Sequence, residues 1–310
     1  MVDLAQQPLR PAECPWLGLH AYGPDDATAF FGRTRVVRQL DRLLERHRFV
    51  AVVGASGSGK SSLAAAGLAT VGWQPHVVRA GSAALSDVES YVASLDPAAS
   101  RPVLVLDGLE ALFREARFDD REAVFDRLLD LALSPSDGAH LAVVCVIRSD
   151  SYGECAAHAR LSDAIAAGHL LLGEPSQDEL RNMVLEPSAA LGVTVDDDLV
   201  EELVDDLRGE PGALPLLSHA LTETWALGSG TLLTLDEYRA VGGARGSIAR
   251  AAERLWDGMA ADEREGVRRI MVDLADPASP SLDVGRRRPV VDPASTNTAA
   301  RSDLVARLVA

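Results

Sequence analysis

Residues 49–63 read FVAVVGASGSGKSSL. The apolar run 49–53 ends at Gly54, GASGSGKS (54–61) fits the spacing GxxxxGK[ST], and a helix-prone stretch follows. A glycine loop between a buried strand and a helix is the context a phosphate-binding loop requires. Gly54, Gly57 and Gly59 free the backbone to turn N–H groups inward as an anion nest. Ala55, Ser56 and Ser58 supply the intervening amides, and the positive end of the following helix adds to the field. Lys60 reaches toward β- and γ-phosphates, Ser61 can ligate Mg²⁺ by its hydroxyl, and Ser62 follows in the same turn. Of the 30 Lys and Arg residues, Lys60 is the single lysine. Position 60 therefore reads as one needing a compact ammonium and not a planar guanidinium.

A second stretch, VLVLDGLEALF at 103–113, runs four apolar residues into Asp107. A carboxylate at the end of a buried strand can hold Mg²⁺ through water; capping of the next helix is the other reading. Gly108 has no side chain with which to act as a base. Glu110 is the nearest carboxylate able to polarise a water, or else an exposed helix-start residue. Arg148 closes the apolar run 141–147 and could touch a γ-phosphate, or form a surface ion pair with Asp150.

Working outward, 33–47 shows helical spacing of Val36, Val37, Leu40, Leu43 and Leu44. Strands are expected at 49–53, 76–80, 103–107, 141–147 and 169–172, alternating with helices at 83–95 and 120–133. That alternation predicts an α/β fold, a five-stranded parallel sheet covered on both faces. Beyond Pro175 no further strand is expected. Ser176 and Glu179 form a capping-box pattern, and helices ending near Gly209 and Gly228 follow. The expected organisation is an N-terminal segment packed on the core (1–30), an NTPase domain (31–175), a small helical domain (176–235) and a third block (236–310). Residues 276–303 are expected as a loop or wing, and RSDLVARLVA as a helical pattern.

Composition narrows the function classes. At 47% hydrophobic and 25% charged, the 310-residue chain is that of an ordinary globular protein long enough for two or three domains. A net charge of -16 opposes sequence-independent nucleic-acid binding, although Arg286, Arg287 and Arg288 form a small basic cluster. No apolar run is long enough for a membrane span, and no signal-peptide layout is present. Cys14, Cys145 and Cys155 form no CxxC pair, which suits a reduced, cytoplasmic setting. The scattered histidines offer no protein-only metal site.

Together CPWLGL (14–19), DDATAFFGR (25–33), the phosphate loop, VLVLDGLEALF, VVCVIRSD, GALPLL (212–217) and GGARGSIARAAE (242–253) resemble the novel STAND NTPases, bacterial relatives of the NACHT and NB-ARC switch ATPases. The resemblance spans nearly the whole chain. It implies that Phe31, Gly32 and Arg33 lie against adenine and ribose, that Pro215 packs on the base, and that Arg148 is the sensor arginine. It implies as well that 176–235 is a helical lid and 236–310 a winged-helix-like domain. It implies Mg²⁺ with ATP or ADP as cofactors, self-association on activation, and sensor repeats or an effector on the same chain or on a partner. One departure is Ala111 after Glu110, where the family usually carries a second acid; slow hydrolysis is the expectation.

The alternative is an ATP-dependent transcription regulator or nucleic-acid-binding ATPase, supported by the arginine cluster alone. A small-molecule kinase is disfavoured by the acidic block at 176–230. The absence of NKxD and LSGGQ-like motifs disfavours a GTPase and an ABC-type ATPase.

Overall fold

The computed structural model describes residues 14–96, 100–115, 118–133, 141–228 and 230–275. Its centre is a sheet of five parallel strands in the order β2-β3-β4-β1-β5. These are β1 (Phe49–Gly54), β2 (Gln74–Arg79), β3 (Pro102–Asp107), β4 (Ala142–Arg148) and β5 (His169–Leu172). Each of the five expected runs forms a strand.

Because both faces are covered, the central strands are apolar up to their C-terminal residues, where Asp107 ends β3 and Arg148 ends β4. Alternation along β1 divides its side chains between two cores. Phe49, Ala51 and Val53 face helices α3 (Ala84–Ser94), α5 (Phe118–Leu133) and α6 (Ala159–Ala167), through Val88, Phe125, Leu128 and Ile165. Val50 and Val52 face α1 (Thr34–Arg46) and the helix at 60–69, through Leu40, Leu44, Leu63 and Leu68. The latter helix, α2, opens at Lys60–Ser62 and runs into a buried π-helical stretch, Leu63–Gly67. A short helix, α4 (Glu110–Glu115), leads from β3 toward α5.

After β5 comes a helical block: α7 (Gln177–Ala190), α8 (Asp197–Asp206), α9 (Ala213–Leu227) and α10 (Leu235–Ala240). The capping box at its entry is formed, with Ser176 Oγ accepting from Glu179 N at 3.2 Å and Glu179 Oε2 accepting from Ser176 N at 2.9 Å. The expectation that strands end at Pro175 is corrected. Two-residue strands β6 (Thr194–Val195) and β7 (Leu232–Leu233) pair in parallel. They close the block by tying the turn after α7 to the turn after α9, and segments this short carry no readable period.

Trp16 is buried in the core of this block beside Leu180, Val184, Leu217 and Leu221. Its indole donates to Met183 O at 3.1 Å. A few residues later Tyr22 N donates to Ser62 Oγ at 3.1 Å. Residues 14–22 thus strap the helical block to the NTPase core. The chain divides into two compact units, Met1–Ser247 and Ile248–Ala310. The first carries Tyr238 and Ala244 in the block's core. α11 (Gly243–Asp257) crosses the division and α12 (Ala261–Ala275) follows it. The expected wing, the terminal helical pattern and Arg286–Arg288 lie outside the described residues.

Candidate functional site

The phosphate loop leaves the sheet at Gly54, whose neighbours in register are Arg148 on β4 and Leu172 on β5. A Cβ at Gly54 would stand 2.7 Å from Leu172 O and 2.9 Å from Ser58 Oγ, so only glycine fits. Gly57 and Gly59 take φ of +75° and +86°, the left-handed geometry that turns the loop back on itself. Lys60 opens α2 at 7% exposure, and its Nζ donates to Ala55 O at 2.7 Å across the loop. Burial pushes its ammonium pKa down, Glu110 pulls it back up, Arg148 lowers it, and Asp107 and Asp150 raise it. The two carboxylates and the guanidinium expected to serve the site are therefore all within electrostatic reach of Lys60.

Ser61 Oγ donates to Asp107 Oδ1 at 2.7 Å, joining the loop to the end of β3. A hydroxyl and a carboxylate converging beside a buried ammonium are the donor set that suits Mg²⁺ bound with a nucleotide. Two further polar atoms are buried without a hydrogen-bond partner, Ser58 Oγ and Glu110 Oε2. Such orphans are uncommon in folded chains and suit a site that takes up a polar ligand. Gly108 has φ +77°, so the turn after Asp107 is one that a side chain would strain. The acid consequently stands two residues later, at the start of α4. Arg148 forks onto Asp150, Nε to Oδ1 at 3.2 Å and Nη2 to Oδ2 at 2.9 Å.

Arg33 is 4% exposed and joins three parts of the fold. Its Nη2 donates to Ser58 O at 3.3 Å in the loop and to Gly173 O at 3.4 Å after β5, while Nη1 donates to Glu179 Oε2 at 3.2 Å on α7. Gly32 N donates to Glu186 Oε2 at 3.2 Å, also on α7.

Beside the loop lies a cavity of about 220 Å³. Gly57, Gly59, Lys60, Ser61 and Ser62 form one wall; Phe30, Phe31 and Arg33 form another; Met183, Pro187, Leu214, Pro215, Leu217 and Ser218 come from α7 and α9; and the strap adds Trp16 and Tyr22. Apolar walls with a few polar groups at one end suit a flat base whose phosphates run onto the loop. The approach of loop and block is close. A Cβ on Gly57 would stand 2.9 Å from Gly212 Cα, and one on Gly59 2.8 Å from Leu214 Cδ1.

Of the expected binding residues, Phe31, Arg33, Gly57, Gly59, Lys60, Ser61, Ser62 and Pro215 line this cavity. Gly32, Gly54, Ala55, Ser56 and Ser58 do not, nor do Asp107, Glu110 and Arg148, which gather at the strand ends. Reading the sequence missed Trp16, Tyr22, Met183, Pro187, Leu214, Leu217 and Ser218. The helical spacing of Met183 with Pro187, and of Leu214 with Ser218, was the available signal, as was the CPWLGL motif for Trp16; Tyr22 offered none.

A family model described as Novel STAND NTPase 1 matches residues 15–310. Among curated proteins none matches the chain. Among solved structures the chain is similar to the Thermotoga maritima RuvB Holliday junction branch migration motor, with a TM-score of 0.47 and 17% identity, covering 82% of this chain and 80% of that one. A point mutant of the same RuvB gives a TM-score of 0.49 at 16% identity, covering 80% of each chain.

Proposed function

The chain belongs to the Novel STAND NTPase 1 family, and from that premise we propose that it is a Mg-ATP/ADP-dependent molecular switch that hydrolyses ATP slowly. One observation carries the reading. The cavity that ends on Lys60 and Ser61 is walled by the phosphate loop on one side and by α7 and α9 on the other. A nucleotide held there bonds the NTPase core to the helical block, and its loss or exchange frees one from the other. In this reading residues 176–235 act as the lid and 236–310 as a winged-helix-like domain. Release of the lid exposes a self-associating surface, and the setting is cytoplasmic signalling or defence.

The residues divide the work. Lys60 neutralises the phosphate tail once it is drawn off the Ala55 carbonyl. Ser61 and Asp107, already paired, would hold Mg²⁺, which would offset charge on the phosphate oxygens. Glu110, with one oxygen unengaged, accepts a proton from the attacking water. Arg148 exchanges Asp150 for the γ-phosphate and so distinguishes ATP from ADP. With a single acid and no second carboxylate at Ala111, turnover is slow.

Occupancy matters to stability. With a dissociation constant of about 1 μM and millimolar nucleotide, binding stabilises the fold by about 4 kcal/mol. Lys60→Ala is expected to abolish most of the nucleotide-induced rise in melting temperature. A full rise in that variant refutes the site. Acid release and chromatography of nucleotide from the purified protein should give ADP.

A further inference from the structure

Four hydroxyl side chains lie inside α7 and α9. Three of them bond back to the carbonyl four residues earlier: Ser188 Oγ to Val184 O at 2.6 Å, Thr222 Oγ1 to Ser218 O at 2.8 Å, and Thr224 Oγ1 to Ala220 O at 2.7 Å. This is the usual way for a helical hydroxyl to satisfy itself. Ser218 does not do so. Its Oγ is buried and without a hydrogen-bond partner, the residue is 9% exposed, and it lines the cavity beside the phosphate loop. The Tyr22 hydroxyl is its polar neighbour in the same cavity wall. Ser218 Oγ therefore keeps hydrogen-bonding capacity for a ligand in the cavity.

An unsatisfied buried hydroxyl is unfavourable unless a ligand completes it. Ser218 lies one helical turn beyond Pro215, on the same face of α9, and Pro215 also lines the cavity. A base flat against Pro215 brings its edge to Ser218. Among the described residues no Asp or Glu lines the cavity, so it lacks the carboxylate that best pairs with the two adjacent donors of a guanine edge. The edge of adenine asks for less, one acceptor for its amino group and one donor for the ring nitrogen beside it. A hydroxyl offers both.

We propose that Ser218 is the residue that reads the base, its hydroxyl bonding the 6-amino edge of the adenine. This rests on the nucleotide-switch reading above.

The test is a thermodynamic cycle by calorimetry, with the full chain and Mg²⁺, pairing Ser218→Ala with removal of the 6-amino group. The probes are ADP and purine riboside diphosphate. Ser218→Ala is expected to weaken ADP about three- to tenfold and to weaken purine riboside diphosphate, which keeps the ring nitrogen but lacks the amino group, by a clearly smaller factor. Ser218→Thr, which keeps the hydroxyl, should retain the preference for ADP. Equal losses for both ligands, or no loss for either, overturn the assignment and leave the nucleotide site standing. Failure of the unaltered protein to bind either ligand refutes the nucleotide reading itself. Circular dichroism of Ser218→Ala separates misfolding from lost recognition.

Discussion

Gly32→Ala should act as a wedge between the NTPase core and the helical block, and its effect can be sized against a matched control. Gly32 has φ +80°, and a Cβ there would lie 2.4 Å from Met183 Cγ, 2.8 Å from Glu179 O and 3.1 Å from Met183 N. The thioether arm of Met183 can swing aside, but the other two atoms are backbone of α7. Gly72 has φ +85°, and a Cβ there would meet nothing within 4 Å. Alanine at either site incurs left-handed strain of about 1–2 kcal/mol, partly offset by about 0.4–1 kcal/mol of lost freedom in the unfolded chain. Gly32→Ala adds the overpacking term, about 1–3 kcal/mol. At roughly 2–4 °C per kcal/mol, Gly72→Ala should lower the melting temperature by a few degrees and Gly32→Ala by about three to four times as much. The ADP-induced rise, measured by scanning fluorimetry, should survive in Gly72→Ala. It should shrink in Gly32→Ala, because displacement of α7 moves the Met183 and Pro187 wall of the cavity. Equal melting temperatures and equal ADP responses in the two variants would refute the packing of Gly32 against α7.

Glu110→Gln should cut single-turnover phosphate release by about 10²-fold or more while leaving ADP affinity within a few-fold; an unchanged rate removes Glu110 from the chemistry. Ser61→Ala should erase the difference in ADP affinity between Mg²⁺ and EDTA solutions, which calorimetry reads directly. Tyr238 donates to Asp206 Oδ2 at 2.7 Å and accepts from Ala244 N at 2.9 Å. Tyr238→Phe should cost about 1–3 kcal/mol in urea unfolding by leaving those groups unpaired. Burial first, and Asp206 second, push the Tyr238 phenol above its ordinary value. Its stabilisation is thus complete below about pH 10, where the unfolded phenol titrates, and falls as pH rises further. Tyr238→Phe should make the alkaline decline above about pH 10 shallower, and an unaltered slope counts against this assignment.

What the sequence made legible follows the strength of its periodic signals. The five sheet strands were readable because burial on both faces forces unbroken apolar runs, as at Val103, Leu104, Val105 and Leu106. The phosphate loop was readable because its backbone geometry demands glycine at fixed spacing. The β6–β7 ladder was not, since Thr194–Val195 and Leu232–Leu233 are too short to show alternation. The strap was legible as a segment packed on the core and as the CPWLGL motif, but not the insertion of Trp16 among the helices of the block. Arg33 marks an intermediate case. Its motif pointed to the site, but its bonds to Ser58, Gly173 and Glu179 depend on three segments distant in the chain. The walls of the cavity escaped notice because Met183, Leu214 and Ser218 resemble ordinary helix residues until the helices are placed.

The strand order has a consequence for synthesis. β1 is hydrogen-bonded to β4 and β5 and to neither β2 nor β3, so the loop it carries is flanked only by strands translated much later. At about 5–20 residues per second on the ribosome, several seconds separate the emergence of Gly54 from that of Leu172. Through that interval both edges of FVAVV lack a strand to pair with, while one of its faces already has α1 and α2 to pack on. Competence to grip a phosphate is acquired late and all at once, when the far side of the sheet clears the exit tunnel.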